Sequence, residues 1–146
     1  MTKTFDMQFI RYMNIFGRIT QVSAKHCFSY NNMLVFAVPA SAVQQAIGRD
    51  NSNLKRLSGI IGKRIRIVAQ PRGIQDLQGF VATLISPAKF ERLEMIESAE
   101  GGQKELAITT SGRENKAMII GRERAREKEL KEILEQYFRI KNVRIM

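Results

Sequence analysis

Cysteine and histidine are almost missing from this 146-residue chain: Cys27 is the only cysteine and His26 the only histidine. One cysteine excludes an internal disulfide, and the two residues together cannot supply a Cys/His zinc site. Adjacent on an expected strand, they also cannot face one another as a nucleophile and base. No Gly-x-x-x-x-Gly-Lys-Ser/Thr loop occurs, so nucleotide hydrolysis has no support. No catalytic residue, metal or cofactor is therefore expected, and the chain reads as a binder rather than an enzyme. No apolar run approaches the ~20 residues of a membrane span, and the N-terminus lacks the apolar core of a signal peptide. A soluble, cytoplasmic protein without a membrane partner is the expectation, with a reducing interior as its natural home.

Acids are scarce as well, but only in one half. Residues 1–72 hold eleven Lys and Arg against Asp6 and Asp50, a net +9. Residues 73–146 hold thirteen against twelve acids, a net +1, and the formal total is +10. Such a balance favours polyanionic partners, and the contact should fall mainly on the first half.

What is present is a repeat. Ile47-Gly48-Arg49 returns as Ile120-Gly121-Arg122, 73 positions later. At that offset Lys55 meets Lys128, Leu57 meets Leu130 and Ile60 meets Ile133. Upstream, Leu34–Val38 matches Leu106–Thr110 at an offset of 72. Downstream, Ile65-Arg66-Ile67 matches Val143-Arg144-Ile145 at 78, so the second copy gained five residues before its last strand. Two copies of one small unit point to a tandem binding module.

Hydrophobic periodicity orders the elements. Phe9, Ile10, Met13 and Phe16 predict a helix ending near Gly17. Ile19 to Tyr30 reads as a strand, Asn31-Asn32 as a turn and Met33–Val38 as a second strand. Pro39 can open a helix with Ala42, Val43, Ala46 and Ile47 inward. A further helix starts at Asn51 or Ser52, carries Leu54, Leu57, Ile60 and Ile61 as its apolar stripe and stops at Gly62. Arg64–Ala69 alternates as a strand. Pro71-Arg72-Gly73 is a boundary too short for a flexible tether, so domains at 1–70 and 74–146 should hold a fixed relation. The order then begins again. Ile74 to Leu84 reads as a helix, Phe90–Ser98 as a strand, Glu100-Gly101-Gly102 as a turn and Lys104–Thr110 as a strand. Met118-Ile119-Ile120 end a short helix, Arg124–Phe138 forms the longest one, and Val143–Met146 closes the sheet.

A glycine between two helices has a physical use. It lets the backbone approach a phosphate closely, and the next helix offers unpaired N–H groups and a partial positive charge. Here the chain resembles the KH family, whose Gly-x-x-Gly loop clamps about four nucleotides. The order of elements looks like the prokaryotic-type (type II) arrangement. Ala46-Ile47-Gly48-Arg49 with Asn53-Leu54-Lys55-Arg56-Leu57 and Gly62-Lys63 resembles archaeal NusA-like transcription termination proteins. His26-Cys27-Phe28 and Ile119-Ile120-Gly121-Arg122 fit that family too, so the resemblance covers essentially the whole chain.

The resemblance implies an α+β protein of two tandem KH domains, each a three-stranded mixed sheet covered by helices on one face. It implies single-stranded RNA binding in transcription termination or antitermination, with RNA polymerase or the elongation complex as a further partner; for the chain itself a monomer is the expectation, with the oligomeric state left open. The RNA-binding residues would be Gly48, Arg49 and Asn51 in the first loop, Lys55 and Arg56 on the following helix, and Lys63, Arg64 and Arg66 beyond it. Gly121, Arg122 and Arg124 are their counterparts in the second loop. A ribosome-associated or assembly KH protein, or a protein-binding adaptor with degenerate loops, are the alternative readings.

Both loops depart from the family pattern. They read Gly48-Arg49-Asp50-Asn51 and Gly121-Arg122-Glu123-Arg124, without the second glycine. A carboxylate ~4 Å from a phosphate costs about 1 kcal/mol in water and about 4 at intermediate dielectric. Capping of the next helix by Asp50, Asn51 or Ser52 is the structural alternative, worth ~1 kcal/mol. In the last long helix Glu127 with Lys131 and Lys128 with Glu132 are spaced to pair. Ile47, Leu54, Ile65 and Ile67 could line a base-binding groove, though such residues more often fill a core. Phe28, Tyr30 and Phe36 are expected in the core, and Cys27 as a small buried hydrophobe.

Overall fold

Asn31 and Asn32 both take positive φ, 52° and 58°. That geometry suits a two-residue hairpin turn, and asparagine tolerates it better than most residues. It joins β1 (His26–Tyr30) to β2 (Met33–Val38) as an antiparallel pair. In the computed structural model, which describes residues 7–97 and 101–146, the chain parts between Gln70 and Pro71 into two compact units.

The first unit runs α1 (Met7–Thr20), β1, β2, α2 (Val43–Ile47), α3 (Ser52–Ile61) and β3 (Arg64–Ala69). β2 is central, antiparallel to β1 and parallel to β3. The second runs α4 (Leu77–Ile85), β4 (Phe90–Glu97), β5 (Lys104–Thr110), α5 (Gly112–Ile120), α6 (Ala125–Phe138) and β6 (Ile140–Ile145), with the same pairing around β5. The class is α+β, with the element order that the KH resemblance implies. Among the described residues no helix is long and apolar enough to cross a membrane.

The parallel registers reproduce the internal repeat residue by residue. Leu34, Val35 and Phe36 lie opposite Ile65, Arg66 and Ile67. Leu106, Ala107 and Ile108 lie opposite Val143, Arg144 and Ile145. The inserted residues mostly lengthen a helix, since α3 has 10 residues and α6 has 14.

Phe16 of α1 stacks on Phe36 of β2, with centroids 4.3 Å apart. Cys27, Leu34, Val38, Ala46, Leu57 and Ile67 complete that core. Each large apolar side chain buried there contributes about 1.5–3 kcal/mol. All six residues of β2 are buried, on both faces of the strand, as a continuous apolar run suggests. In the second unit Phe80 of α4 meets Tyr137 and Phe138 of α6 at 5.1 and 5.9 Å.

Three expected boundaries move by three residues or more. α1 does not stop at Gly17 but runs to Thr20, and Ile19–Lys25 is not strand. The stop comes where the buried Thr20 hydroxyl donates to the Phe16 carbonyl at 2.8 Å and Gln21 takes φ 61°. β6 begins at Ile140 rather than Val143, because Ile140 is itself buried and pairs with Lys104. Ile60 is 59% exposed instead of joining the stripe of α3. Ser98 and Glu100 lie outside the described residues.

Candidate nucleic-acid interface

α2 ends at Gly48 (φ 81°, ψ 165°), a region of backbone space that only glycine occupies without strain. A Cβ there would sit 2.7 Å from Ser52 Oγ and 3.0 Å from the Asn53 backbone nitrogen. The loop is thus folded tightly over the first turn of α3. Asp50 (φ 55°, ψ 36°) and Asn51 (φ 61°, ψ 25°) follow in the left-handed region.

The second loop has the same shape. Gly121 (φ 75°, ψ 172°), Glu123 (φ 54°, ψ 30°) and Arg124 (φ 61°, ψ 23°) match their counterparts to a few degrees. A Cβ on Gly121 would meet the Arg126 backbone nitrogen at 3.0 Å. The two loops thus share one conformation, although neither has a second glycine. Asn51 tolerates the left-handed region readily, whereas Arg124 bears a cost of roughly 1–2 kcal/mol.

Capping does not explain the polar loop residues. Asn51 occupies the N-cap of α3 with no side-chain hydrogen bond, and the first turn holds no acid. Ser52 N–H donates to the Arg49 carbonyl, and the N–H groups that follow it have no capping side chain from Asn51 while carrying the positive end of the helix dipole. What ties the loop together is Asn53, whose Nδ2 donates to the Gln45 carbonyl at 3.2 Å.

Arg49, Asp50, Asn51, Lys55 and Arg56 are all exposed, and Leu57 turns inward. Among the described residues none of Arg49, Lys55, Arg56 and Lys63 has an acid as ion-pair partner. The expected cationic group nevertheless divides. Arg49, Lys55 and Arg56 gather at the loop and the first turns of α3. Lys63 and Arg64 lie past the other end of the helix, about 15 Å away along its axis. Arg64 Nη2 donates to the Asn31 carbonyl at 2.8 Å, so it also braces the β1–β2 turn. Arg66 is half-buried on β3, and burial, opposed by Tyr30 and reinforced by Arg64, lowers its pKa.

The second loop is electrostatically weaker. Gly121 and Arg122 keep their places, but the Arg124 guanidinium sits 2.7 Å from Glu127, a carboxylate in the first turn of α6. Glu127 therefore pairs with Arg124 and not with Lys131, and no Lys128–Glu132 pair forms among the described residues. The left-handed N-cap swings Arg124 over the first turn, whereas exposed four-residue pairs gain too little to overcome side-chain entropy.

Of the apolar groove candidates, Ile67 is core, while Ile47, Leu54 and Ile65 pack against the core with one side still accessible. Phe28, Tyr30 and Phe36 are buried. His26 is half-buried and burial lowers its pKa. Cys27 is fully buried, and burial pushes its thiol far up, which leaves it inert at neutral pH. Sequence reading missed the Asn53 and Arg64 backbone contacts, for which no pattern exists. It also missed the Arg124–Glu127 pair, although three-residue spacing signalled it.

No family model matches the chain. Proteins named "Probable transcription termination protein NusA" from two strains of Halobacterium salinarum are 24% identical to it over 131 residues, covering 90% of this chain and 89% of theirs. The crystal structure of APE1850 superposes with a TM-score of 0.70 at 29% identity, covering 97% of this chain and all of that one. Over most of its length the chain is thus similar to NusA-like proteins, at the level of distant homology.

Proposed function

We propose that this protein binds single-stranded RNA, without catalysing a reaction, and acts in transcription termination or antitermination. The first unit supplies most of the affinity. One observation carries the reading: an uncapped, acid-free start of α3, folded against Gly48, stands beside exposed Arg49, Lys55 and Arg56 with no acid paired to them. A phosphate approaching there meets backbone donors, a helix dipole and three cations together. Bases splayed from that backbone would reach the accessible sides of Ile47, Leu54 and Ile65. Lys63 and Arg64, past the far end of α3, then extend the track to a phosphate further along the strand. The name carried by the Halobacterium salinarum relatives supports a role in transcription and, with it, RNA polymerase or the elongation complex as a partner.

Titration with unstructured oligoribonucleotides, followed by backbone amide shifts, tests the reading. Shifts should concentrate at residues 48–56, with smaller ones at 121–129. Saturating RNA that left residues 48–56 unmoved would refute it.

A further inference from the structure

A cavity of about 570 Å³ opens at the end of α1, in the turn that leads to β1. Met13, Gly17 and Ala24 are half-buried and form its floor, while Asn14, Arg18, Gln21 and Ser23 are exposed and form its rim. A second cavity, of about 510 Å³, opens at the end of α4. Five of the lining positions correspond: 13, 17, 21, 23 and 24 recur 65 residues later as 78, 82, 86, 88 and 89. Thr20 and Ile85, where the two helices end, are also 65 apart. The hollow therefore belongs to the repeated unit rather than to one turn.

The turn that shapes the first cavity is fixed. Thr20 Oγ1 donates to the Phe16 carbonyl at 2.8 Å and accepts from the Val22 N–H at 3.0 Å. Gln21, at φ 61°, donates its Nε2 to the Arg18 carbonyl at 2.9 Å, which leaves its Oε1 to accept from a ligand. Gly17 keeps the floor open. It has no positive φ, and a Cβ there would meet only the Val22 carbonyl oxygen, at 3.9 Å. Neither packing nor backbone demands glycine at this place in α1, where it is among the poorest helix formers.

Hollows of roughly 300–1,000 Å³ suit small organic molecules, and this one sets donors and acceptors around an apolar floor. Asn14, Gln21 and Ser23 offer both, as the edge of a planar heterocycle requires. The charge is one-sided. Arg18 is the only charged group in the lining, and Arg11 and Lys25 flank it along the chain. Among the described residues none of the three has an acid as ion-pair partner. The only acid at positions 7–70 is Asp50, in the Gly48 loop. The negative end of α1 disfavours a bare anion on the floor, and Arg18 disfavours a cation. A neutral ring that carries a phosphate meets both conditions.

We propose that this cavity binds one nucleotide, its base lying on Met13, Gly17 and Ala24 and its phosphate on Arg18. Asn14, Gln21 and Ser23 meet the edge of the base. The nucleotide is either free or one unit of a single-stranded RNA, and the site needs no contact from the Gly48 loop. The second cavity, with Lys89 and Glu91 both in its lining, lacks this one-sided charge.

The test titrates the full chain with the four ribonucleoside monophosphates, inorganic phosphate and a short unstructured oligoribonucleotide, and reads backbone amide shifts. A monophosphate or the oligoribonucleotide should shift the amides of residues 13–24, and inorganic phosphate should leave them in place. Shifts with a monophosphate alone identify a free ligand, and shifts with the oligoribonucleotide alone assign the cavity to the strand. Gly17→Leu, which fills the floor, should weaken that binding by about tenfold or more. Its urea midpoint should not fall, since leucine favours a helix over glycine. Asn14→Ala, on the exposed rim, should weaken binding about threefold to tenfold, the worth of one hydrogen bond. Both variants should keep the oligoribonucleotide shifts at residues 48–56, so a failed cavity and a failed loop read out separately. No shift at residues 13–24 with any probe, the same shifts from inorganic phosphate alone, or unchanged binding by either variant would overturn the proposal.

Discussion

Asn53 Nδ2 donates to the Gln45 carbonyl at 3.2 Å, linking the first turn of α3 back to α2 across the Gly48 loop. At the equivalent place in the second unit Arg126 Nη1 donates to the Met118 carbonyl at 2.9 Å. Both span eight residues, with unlike side chains doing the same task. In each unit the loop is thus held closed by a side-chain link between the two helices that flank it. Its shape is preset before any ligand arrives.

Removing that link should loosen the loop. Asn53→Ala is expected to cost about 0.5–1 kcal/mol, the usual net worth of such a hydrogen bond. Amide exchange at Gly48 and Asn51 should quicken while β2 stays protected. Unchanged exchange at both positions would show that the glycine geometry alone closes the loop.

Gly48 and Gly121 share their dihedral angles, so substitution should strain both alike. Gly48→Ala and Gly121→Ala should each cost about 1–3 kcal/mol in urea unfolding, the range for a non-glycine residue in that region. Binding should separate them: Gly48→Asp should weaken RNA binding more than Gly121→Asp. The reverse order would overturn the ranking of the two loops.

Charge reversal at Arg49 and Lys55 should reduce RNA affinity and flatten its salt dependence, by a slope of roughly 0.7 for each lost phosphate contact. Arg124→Ala should change affinity little, because its guanidinium already serves Glu127. Glu127→Gln should strengthen binding at the second loop by freeing Arg124. A wild-type affinity indifferent to salt would rule out the cationic face.

Cys27 gives a pH-dependent stability. Its thiol pKa is raised in the folded state by burial, so above the ordinary thiol value of about 8.5 the unfolded chain releases a proton that the folded chain retains. The contribution is fully present below that pH and is lost as pH rises above it. The urea midpoint of the wild-type chain should therefore fall more between pH 7 and pH 10 than that of Cys27→Ala. Equal falls would mean that the thiol does not titrate on unfolding.

The order of helices and strands, the duplication and both glycine turns were legible because each is a local pattern. Leu34–Val38 is apolar throughout, Asn31-Asn32 favours a tight turn, and Gly48 and Gly121 stand where only glycine fits. Less legible were ends set by distant partners. α1 passes Gly17 because Thr20 is buried and bonds back to Phe16, a contact that no spacing announces. Ile60 looks apolar and inward in sequence yet is exposed, since exposure depends on what lies opposite.

The sequence by itself determined that this protein is a doubled, basic-fronted unit with a glycine turn in each copy. Periodicity, charge count and repetition are properties of residues along one line. Only the tertiary structure decided which cations stay available, which are spent on Glu127 or on the Asn31 carbonyl, and that α3 begins without a cap. Those outcomes depend on which groups lie within hydrogen-bonding reach. Folding sets that reach, bringing Arg64 to Asn31 across 33 positions of chain.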